Sequence, residues 1–271
     1  RRVTTPGHDY VVIVGAVAGL VKQAESETGV PGTVGVGVPG AISATSGFLK
    51  NSNTTCLNGR PLKQDLERAL DREVRLANDA NCFALSEAVD GAGAGASVVF
   101  GVILGTGVGG GVVVNGTVLE GVNGIAGEWG HNPLSVDEAD SPARACYCGR
   151  IGCVETWLSG PGFAADHATR HGGTLTAVDI AAAAFAGDTA AADSLRRYER
   201  RLAQALAGVI NILDPHVIVL GGGLSNLDVV YADLPALLRP HVFSDRIDTR
   251  VVKNRHGDSG GVRGAAWMWG R

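Results

Sequence analysis

An α/β fold of two lobes around a cleft is what this sequence predicts, and three observations carry it. Apolar strand-like runs alternate with helix-like stretches along the chain, the order that builds sheets flanked by helices. Two of those runs, Ser97 to Leu104 and His216 to Leu220, end in glycine turns, Gly105-Thr106-Gly107-Val108-Gly109-Gly110-Gly111 and Gly221-Gly222-Gly223. A repeated strand–glycine-turn unit points to two related lobes. Finally, 45% hydrophobic against 18% charged residues in 271 supply one large core or two modest ones.

Taken in order, Arg1 to Pro6 reads as the end of a strand, and Asp9 as the N-cap of a helix running towards Ser26. Thr33 to Gly40 alternates like a strand and stops at Pro39-Gly40. A polar loop from Lys50 to Thr55 precedes a short helix starting near Pro61 or Leu62. Val74 to Ala77 is a strand, and Asn78-Asp79 leads into a helix from Ala80 to Val89. Gly91-Ala92-Gly93-Ala94-Gly95 has the composition of a linker and marks a domain boundary. After the strand Ser97 to Leu104, a second strand, Gly111 to Val114, turns at Asn115-Gly116 into a third. Helices follow over Pro161 to His171, Ala177 to Ala186 and Ala190 to Leu213. A buried strand from His216 to Leu220, a strand near Thr249 to Lys253 and a helix from Val262 to Trp269 complete the reading.

Charge and composition exclude several classes. A formal net charge of −4 offers no electrostatic case for nucleic acid or an anionic membrane. The longest apolar stretch, Tyr10 to Val21, is too short to span a bilayer. The opening residues carry no apolar leader, so the expected setting is soluble and cytoplasmic. Five cysteines, an odd number without a secretory signal, argue against a disulfide framework and for metal or burial.

Three of them fall in Cys146-Tyr147-Cys148-Gly149-Arg150-Ile151-Gly152-Cys153, with His131 upstream across a loop containing proline and acids. Three thiolates and an imidazole complete a tetrahedral set for structural zinc and leave no position for a catalytic water. The alternative is three buried, reduced thiols whose clustering is accidental. Cys56 and Cys82 stand alone.

The turn Gly105-Thr106-Gly107-Val108-Gly109 is not a dinucleotide fingerprint, which needs a following helix and an acid about twenty residues on; here a hairpin follows. Two readings remain: consecutive N–H groups facing a phosphate with the Thr106 hydroxyl as an extra donor, or a sharp β-turn. The second turn, around Gly222, favours a nucleotide cleft. Asp79 is either a helix N-cap or the base that takes a proton from a sugar hydroxyl attacking a γ-phosphate. Glu128, in Gly127-Glu128-Trp129-Gly130-His131, and Glu155, in Cys153-Val154-Glu155, put two carboxylates beside the metal ligands. Singly each reads as a solvated acid; together they suit a ring of hydroxyls. His131 can serve twice, one ring nitrogen on zinc and the other donating to the sugar.

Together these segments resemble the ROK family of sugar kinases. The match runs through Gly37-Val38-Pro39-Gly40, Leu76-Ala77-Asn78-Asp79-Ala80-Asn81, Leu104-Gly105-Thr106-Gly107, Gly127 to His131, Cys146-Tyr147-Cys148-Gly149 and Cys153-Val154-Glu155-Thr156. It closes on His256-Gly257-Asp258-Ser259 and Gly261-Val262-Arg263-Gly264-Ala265-Ala266. The segments Glu128 to Leu134 and His256 to Ser259 resemble the bacterial fructokinase branch. The resemblance implies a two-lobed actin/hexokinase-like (ribonuclease H-like) ATPase fold with a truncated N-terminal lobe. The smaller lobe would be residues 1–94 plus 256–271 and the larger one 95–255. It implies Asp79 as catalytic base and sugar contacts from Gly40, Asn53, Asn78, Asp79, Glu128, His131 and Glu155. It implies nucleotide contacts from Gly105, Thr106, Gly107, Val108, Gly109 and Gly222, and zinc on His131, Cys146, Cys148 and Cys153. It implies a homodimer using Mg2+ and ATP.

Three departures from the family stand out: the chain starts after the Asp-Leu-Gly-Gly-Thr-Lys type phosphate loop, Cys56 replaces an expected Trp, and the His131-to-Cys146 spacing is long. The expected reaction is ATP-dependent phosphorylation of D-fructose to fructose 6-phosphate. The alternatives are a broader hexokinase acting on glucose or mannose, a non-catalytic sugar-binding regulator, and an inactive remnant.

Overall fold

The computed structural model describes residues 1–4, 6–7, 9–135 and 142–270. Helix α1 (Tyr10–Thr28) begins where the Asp9 carboxylate accepts the N–H of Val11 at 2.9 Å, and it ends at Gly29 with φ 69°, the left-handed stop that glycine favours. Strand β1 (Val34–Val38) leads to a small antiparallel pair, β2 (Ala41–Ile42) and β3 (Leu49–Lys50). Helix α2 (Leu62–Leu70) buries Leu62, Leu66 and Leu70, one stripe at helical spacing. Strand β4 (Val74–Asn78) then pairs in parallel with β1, Val34 opposite Val74, and runs directly into α3 (Asp79–Val89).

The second sheet opens with β5 (Val98–Leu104), β6 (Val108–Val114) and β7 (Thr117–Val118), an antiparallel meander that turns at Asn115-Gly116 as predicted. Helices α4 (Glu155–Leu158), α5 (Gly160–His171), α6 (Ala177–Phe185) and α7 (Thr189–Leu213) precede β8 (Val217–Gly221). Helix α8 (Asp228–Leu238), strand β9 (Arg250–Lys253) and helix α9 (Gly260–Trp267) finish the chain. The sheet order is β7-β6-β5-β8-β9, with β5, β8 and β9 parallel.

Strands β5 and β8 are apolar throughout because both faces are covered. Phe100, Val102, Leu104, Ile218 and Leu220 pack under α4 to α8, while Val99, Val217 and Val219 pack under α3. A third core joins α1, α2, β1 and β4. Helices α3 and α9 lie between the two sheets, and their crossing is close. A Cβ on Gly264 would sit 1.6 Å from the Cys82 carbonyl oxygen. On the far side of the larger sheet, buried Asp166 (α5) pairs with Arg197 and Arg201 of α7 and with Arg144, and the guanidinium groups of Arg144 and Arg201 each lie over the Trp157 ring.

Four expectations are corrected. Residues 1–4 and 6–7 form no strand; no ladder partner is at hand, and Arg1 and Arg2 cross the surface to Glu27 and Asp258. Strand β6 begins at Val108, not Gly111, because the hairpin register pairs Leu104 with Val108. The 91–95 segment is a packed turn and not a loose linker. Fully buried Glu87 accepts the Ala92 N–H at 2.8 Å and also the N–H groups of Arg255 and His256. Finally, α8 is a helix that the sequence reading left out, and it carries Pro235 within it. Of the expected strand end, Thr5 lies outside the described residues, as do residues 136–141 of the loop before the cysteines. No helix among the described residues is long and apolar enough to cross a membrane.

The α3–α9 crossing generates a paired prediction. Gly264→Ala must push α9 off the Cys82 backbone and should destabilise the fold by about 1–3 kcal/mol. Gly261→Ala in the same helix meets nothing within 4 Å and should be neutral or stabilising by up to about 1 kcal/mol. Urea unfolding of both variants checks the contrast; equal effects would refute close packing at Gly264.

Candidate active site

The site is organised around β6. A Cβ on Gly111 would lie 2.7 Å from the Ala80 carbonyl oxygen and 2.9 Å from the Ala84 Cβ, so α3 rests directly on the strand. On the opposite face, a Cβ on Gly110 would lie 2.7 Å from the Gly127 carbonyl oxygen and from the Trp129 ring. The Trp129 indole N–H donates to the Gly109 carbonyl at 2.9 Å and pins that loop in place. The bare stretch Gly109–Gly111 of this strand thus draws Asp79 and the Glu128–His131 segment to a single cleft of about 1610 Å³.

At the head of α3, the capping work belongs to Asn78. Its Oδ1 accepts from the N–H groups of Ala80 and Asn81 at 2.8 and 3.3 Å, and its Nδ2 donates to the Gly40 carbonyl at 3.0 Å. Asp79 uses one carboxylate oxygen on its neighbour Ala80 N–H at 2.9 Å and lines the cleft. Burial pushes its pKa above the ordinary value of 3.8, outweighing that N–H bond. Gly40 and Asn53 also line the cleft. The loop bearing Asn53 is clasped by Asn58, which accepts the Ser52 N–H at 2.8 Å and donates to the Ser52 carbonyl at 2.9 Å.

Glu128 and Glu155 line the same cleft. Burial raises the Glu128 pKa; His131 opposes this, and the carboxylates of Asp79 and Glu155 add to it. The glycine turn is narrower than predicted, spanning Gly105 to Gly107, with Val108 and Gly109 already in β6. The Gly105 N–H bonds the Gly107 carbonyl at 3.0 Å and the Val108 N–H bonds Glu155 Oε2 at 2.9 Å. Among the described residues, the N–H groups of Thr106 and Gly107 take no internal acceptor, which leaves two adjacent donors open beside the cleft they line. Gly222 does not line the cleft. It ends β8 at φ 81°, where a Cβ would lie 2.4 Å from the Leu104 carbonyl oxygen, just before the turn. Lys50, Asn58, Tyr147, Arg150 and Gln204 line the cleft without having been predicted as site residues; Lys50 stands in the polar loop and Tyr147 and Arg150 in the cysteine motif, whose spacing was the available signal.

The ligating atoms of His131, Cys146, Cys148 and Cys153 lie within 4.8 Å of one another. His131 Nδ1 is 3.6 Å from Cys146 Sγ, and Cys148 Sγ is 3.6 Å from Cys153 Sγ. A tetrahedral zinc, with bonds of about 2.3 Å to sulfur and 2.0–2.1 Å to nitrogen, sets edges of about 3.6 Å (S–N) and 3.8 Å (S–S). The donor set fits such an ion. Backbone bonds from Leu134 N–H to Gly152 and from Val154 N–H to Asn132, at 2.9 Å each, hold the histidine segment beside the cysteines. His131 and Tyr147 both line the cleft, and the Tyr147 hydroxyl lies 3.1 Å from His131 Nε2.

Comparison with known proteins shows what the chain as a whole is similar to. A family model described as the ROK family matches residues 1–271. An N-acetyl-D-glucosamine kinase of Vibrio cholerae serotype O1 is 44% identical over 273 residues, covering 99% of this chain and 90% of that protein. A ROK hexokinase from Thermus thermophilus superposes with a TM-score of 0.87 at 31% identity, over 97% of this chain and 87% of that one. A ROK family glucokinase from Streptomyces griseus, solved in complex with glucose and AMPPNP, gives a TM-score of 0.79 at 29% identity, over 98% of this chain and 89% of that one.

The ligand geometry predicts one zinc per chain by metal analysis. Cys148→Ser should lose it and lower the melting temperature, by about 2–4 °C for each kcal/mol removed. An unchanged melting temperature after confirmed metal loss would contradict a structural role.

Proposed function

The chain belongs to the ROK family, and on that premise we propose that it transfers the γ-phosphoryl group of ATP to a hydroxyl of a hexose, N-acetyl-D-glucosamine being the preferred sugar. The observation that carries this reading is the convergence of Asp79, Glu128, His131 and Glu155 with the Gly105–Gly107 turn in one cleft.

Each group has a part in the reaction. Asp79 takes the proton of the attacking sugar hydroxyl as its oxygen forms the new bond to the γ-phosphorus and the bond to the β-phosphate oxygen breaks, releasing ADP. Its burial suits the task, because a carboxylate whose pKa is raised holds a proton better. Glu128, Glu155, Asn53 and the His131 Nε2 hold the other sugar hydroxyls, while Asn78 and Gly40 fix the loop above Asp79. The open N–H groups of Thr106 and Gly107 receive phosphate oxygens, and Gly222 keeps β8 tight against the end of β5. Magnesium arriving with the nucleotide would neutralise the β- and γ-phosphate oxygens. Zinc on His131, Cys146, Cys148 and Cys153 is scaffolding that aims the histidine. The lobes would be residues 1–94 with 256–271, and 95–255, with the protein acting as a cytoplasmic homodimer.

The choice of sugar follows the relatives. The Vibrio cholerae protein and one from Yersinia pseudotuberculosis, each 44% identical, are both N-acetyl-D-glucosamine kinases. Fructose was expected partly from His256-Gly257-Asp258-Ser259, and that segment does not line the cleft. Instead His256 Nε2 bonds Asp90 Oδ1 at 2.9 Å, as an anchor between α3 and α9.

An ADP-release assay with N-acetyl-D-glucosamine, glucose, mannose and fructose tests the reading. Highest kcat/KM on N-acetyl-D-glucosamine is expected; far better turnover of another hexose would sink the assigned sugar, and sugar binding without turnover would point to a regulator. Asp79→Asn should keep sugar affinity and lose ~10²–10⁴ in kcat; near-normal turnover would remove Asp79 from the role of base. In the unmutated protein, kcat/KM should fall as pH drops through the raised Asp79 pKa, so the acidic limb should lie above the ordinary carboxylate value of 3.8. A limb at or below that value would contradict the buried base.

A further inference from the structure

We propose that Glu155 is a positioning residue that couples the two halves of the cleft, so that sugar on one carboxylate oxygen orders the phosphate turn through the other. The proposal rests on the sugar-kinase reading above. Glu155 Oε2 accepts the Val108 N–H at 2.9 Å, immediately after the turn. A Cβ on Gly107 would lie 2.7 Å from that same oxygen, so the residue next to Val108 must be bare for the carboxylate to fit. Glu155 Oε1 takes no hydrogen bond from the described residues, and the side chain lines the cleft.

The base of Glu155 is held as firmly as its tip. Thr156 Oγ1 donates to the Cys153 carbonyl at 2.7 Å, tying the start of α4 to the metal loop. A few residues on, the Gly160 N–H donates to the Gly105 carbonyl at 2.7 Å. The stretch carrying Glu155 therefore grips the turn on both sides, at Gly105 and at Val108. A sugar hydroxyl donating to Oε1 restricts the Glu155 rotamers and so holds Oε2 on the Val108 N–H. Nucleotide then meets a turn already ordered, and by reciprocity bound nucleotide tightens sugar binding.

The test measures the dissociation constant of N-acetyl-D-glucosamine with and without a non-hydrolysable ATP analogue. In the unmutated protein the analogue should tighten sugar binding within the ~5–150-fold range usual for coupled sites. Gly107→Ala, a change in the nucleotide turn, should bring that ratio close to one by pushing Oε2 off Val108. Glu155→Asp, one methylene shorter, should do the same from the other side, and the double variant should lose no more than either alone. A merely structural role would lower the melting temperature and leave the ratio intact. A protein that phosphorylates the sugar but shows no coupling, or a Gly107→Ala variant with undiminished coupling, overturns this proposal alone. A protein that phosphorylates no sugar overturns the kinase reading and this proposal with it.

Discussion

The structure depends on the bareness of β6. Gly110 and Gly111 present backbone to both faces, so α3 and the 127–131 loop approach the same strand from opposite sides at distances no side chain would permit. Replace either glycine and one partner must move away, taking Asp79 or the Glu128–His131 pair out of the cleft. The next glycine along, Gly109, offers its carbonyl to the Trp129 indole, which fixes how the loop lies. A stretch of low strand propensity is tolerated here because β5 pairs with it along its whole length.

Electrostatics follows from this packing. Three carboxylates, Asp79, Glu128 and Glu155, share a partly dry cleft in which Lys50 and Arg150 are the cationic side chains among its lining residues. Burial raises Asp79 and Glu128, and the carboxylates of Asp79 and Glu155 add to the cost of charging Glu128. Glu155 accepts the Val108 N–H with one of its oxygens. A sugar, being a set of neutral hydroxyls, satisfies such acids without adding charge, whereas a carboxylate-bearing ligand would be repelled.

Much of this was legible in the residues, and the reasons differ by feature. The cysteine cluster, the Asn115-Gly116 hairpin and the Asp9 cap are local signals, set by spacing of a few residues, and each is found where predicted. Contacts made across sequence were not legible. Glu87 reads as an ordinary helical acid until Arg255 and His256 arrive to donate to it. The glycines read as a phosphate cradle are divided in the structure: Gly105 and Gly107 lie in the turn and Gly109 in β6, beside the Gly110 and Gly111 that admit a loop and a helix. The fructose expectation leaned on two segments, Glu128 to Leu134, which lines the cleft, and His256 to Ser259, which does not, and sugar preference depends on pocket details that short motifs do not encode.

The most direct test of the account is a crystal structure with N-acetyl-D-glucosamine and a non-hydrolysable ATP analogue bound together. It should place one sugar hydroxyl within about 2.6–3.2 Å of the Asp79 carboxylate, facing the terminal phosphate, with Glu155 and His131 on the same ring. A sugar seated with Asp79 out of reach of every hydroxyl, or outside this cleft altogether, would contradict it.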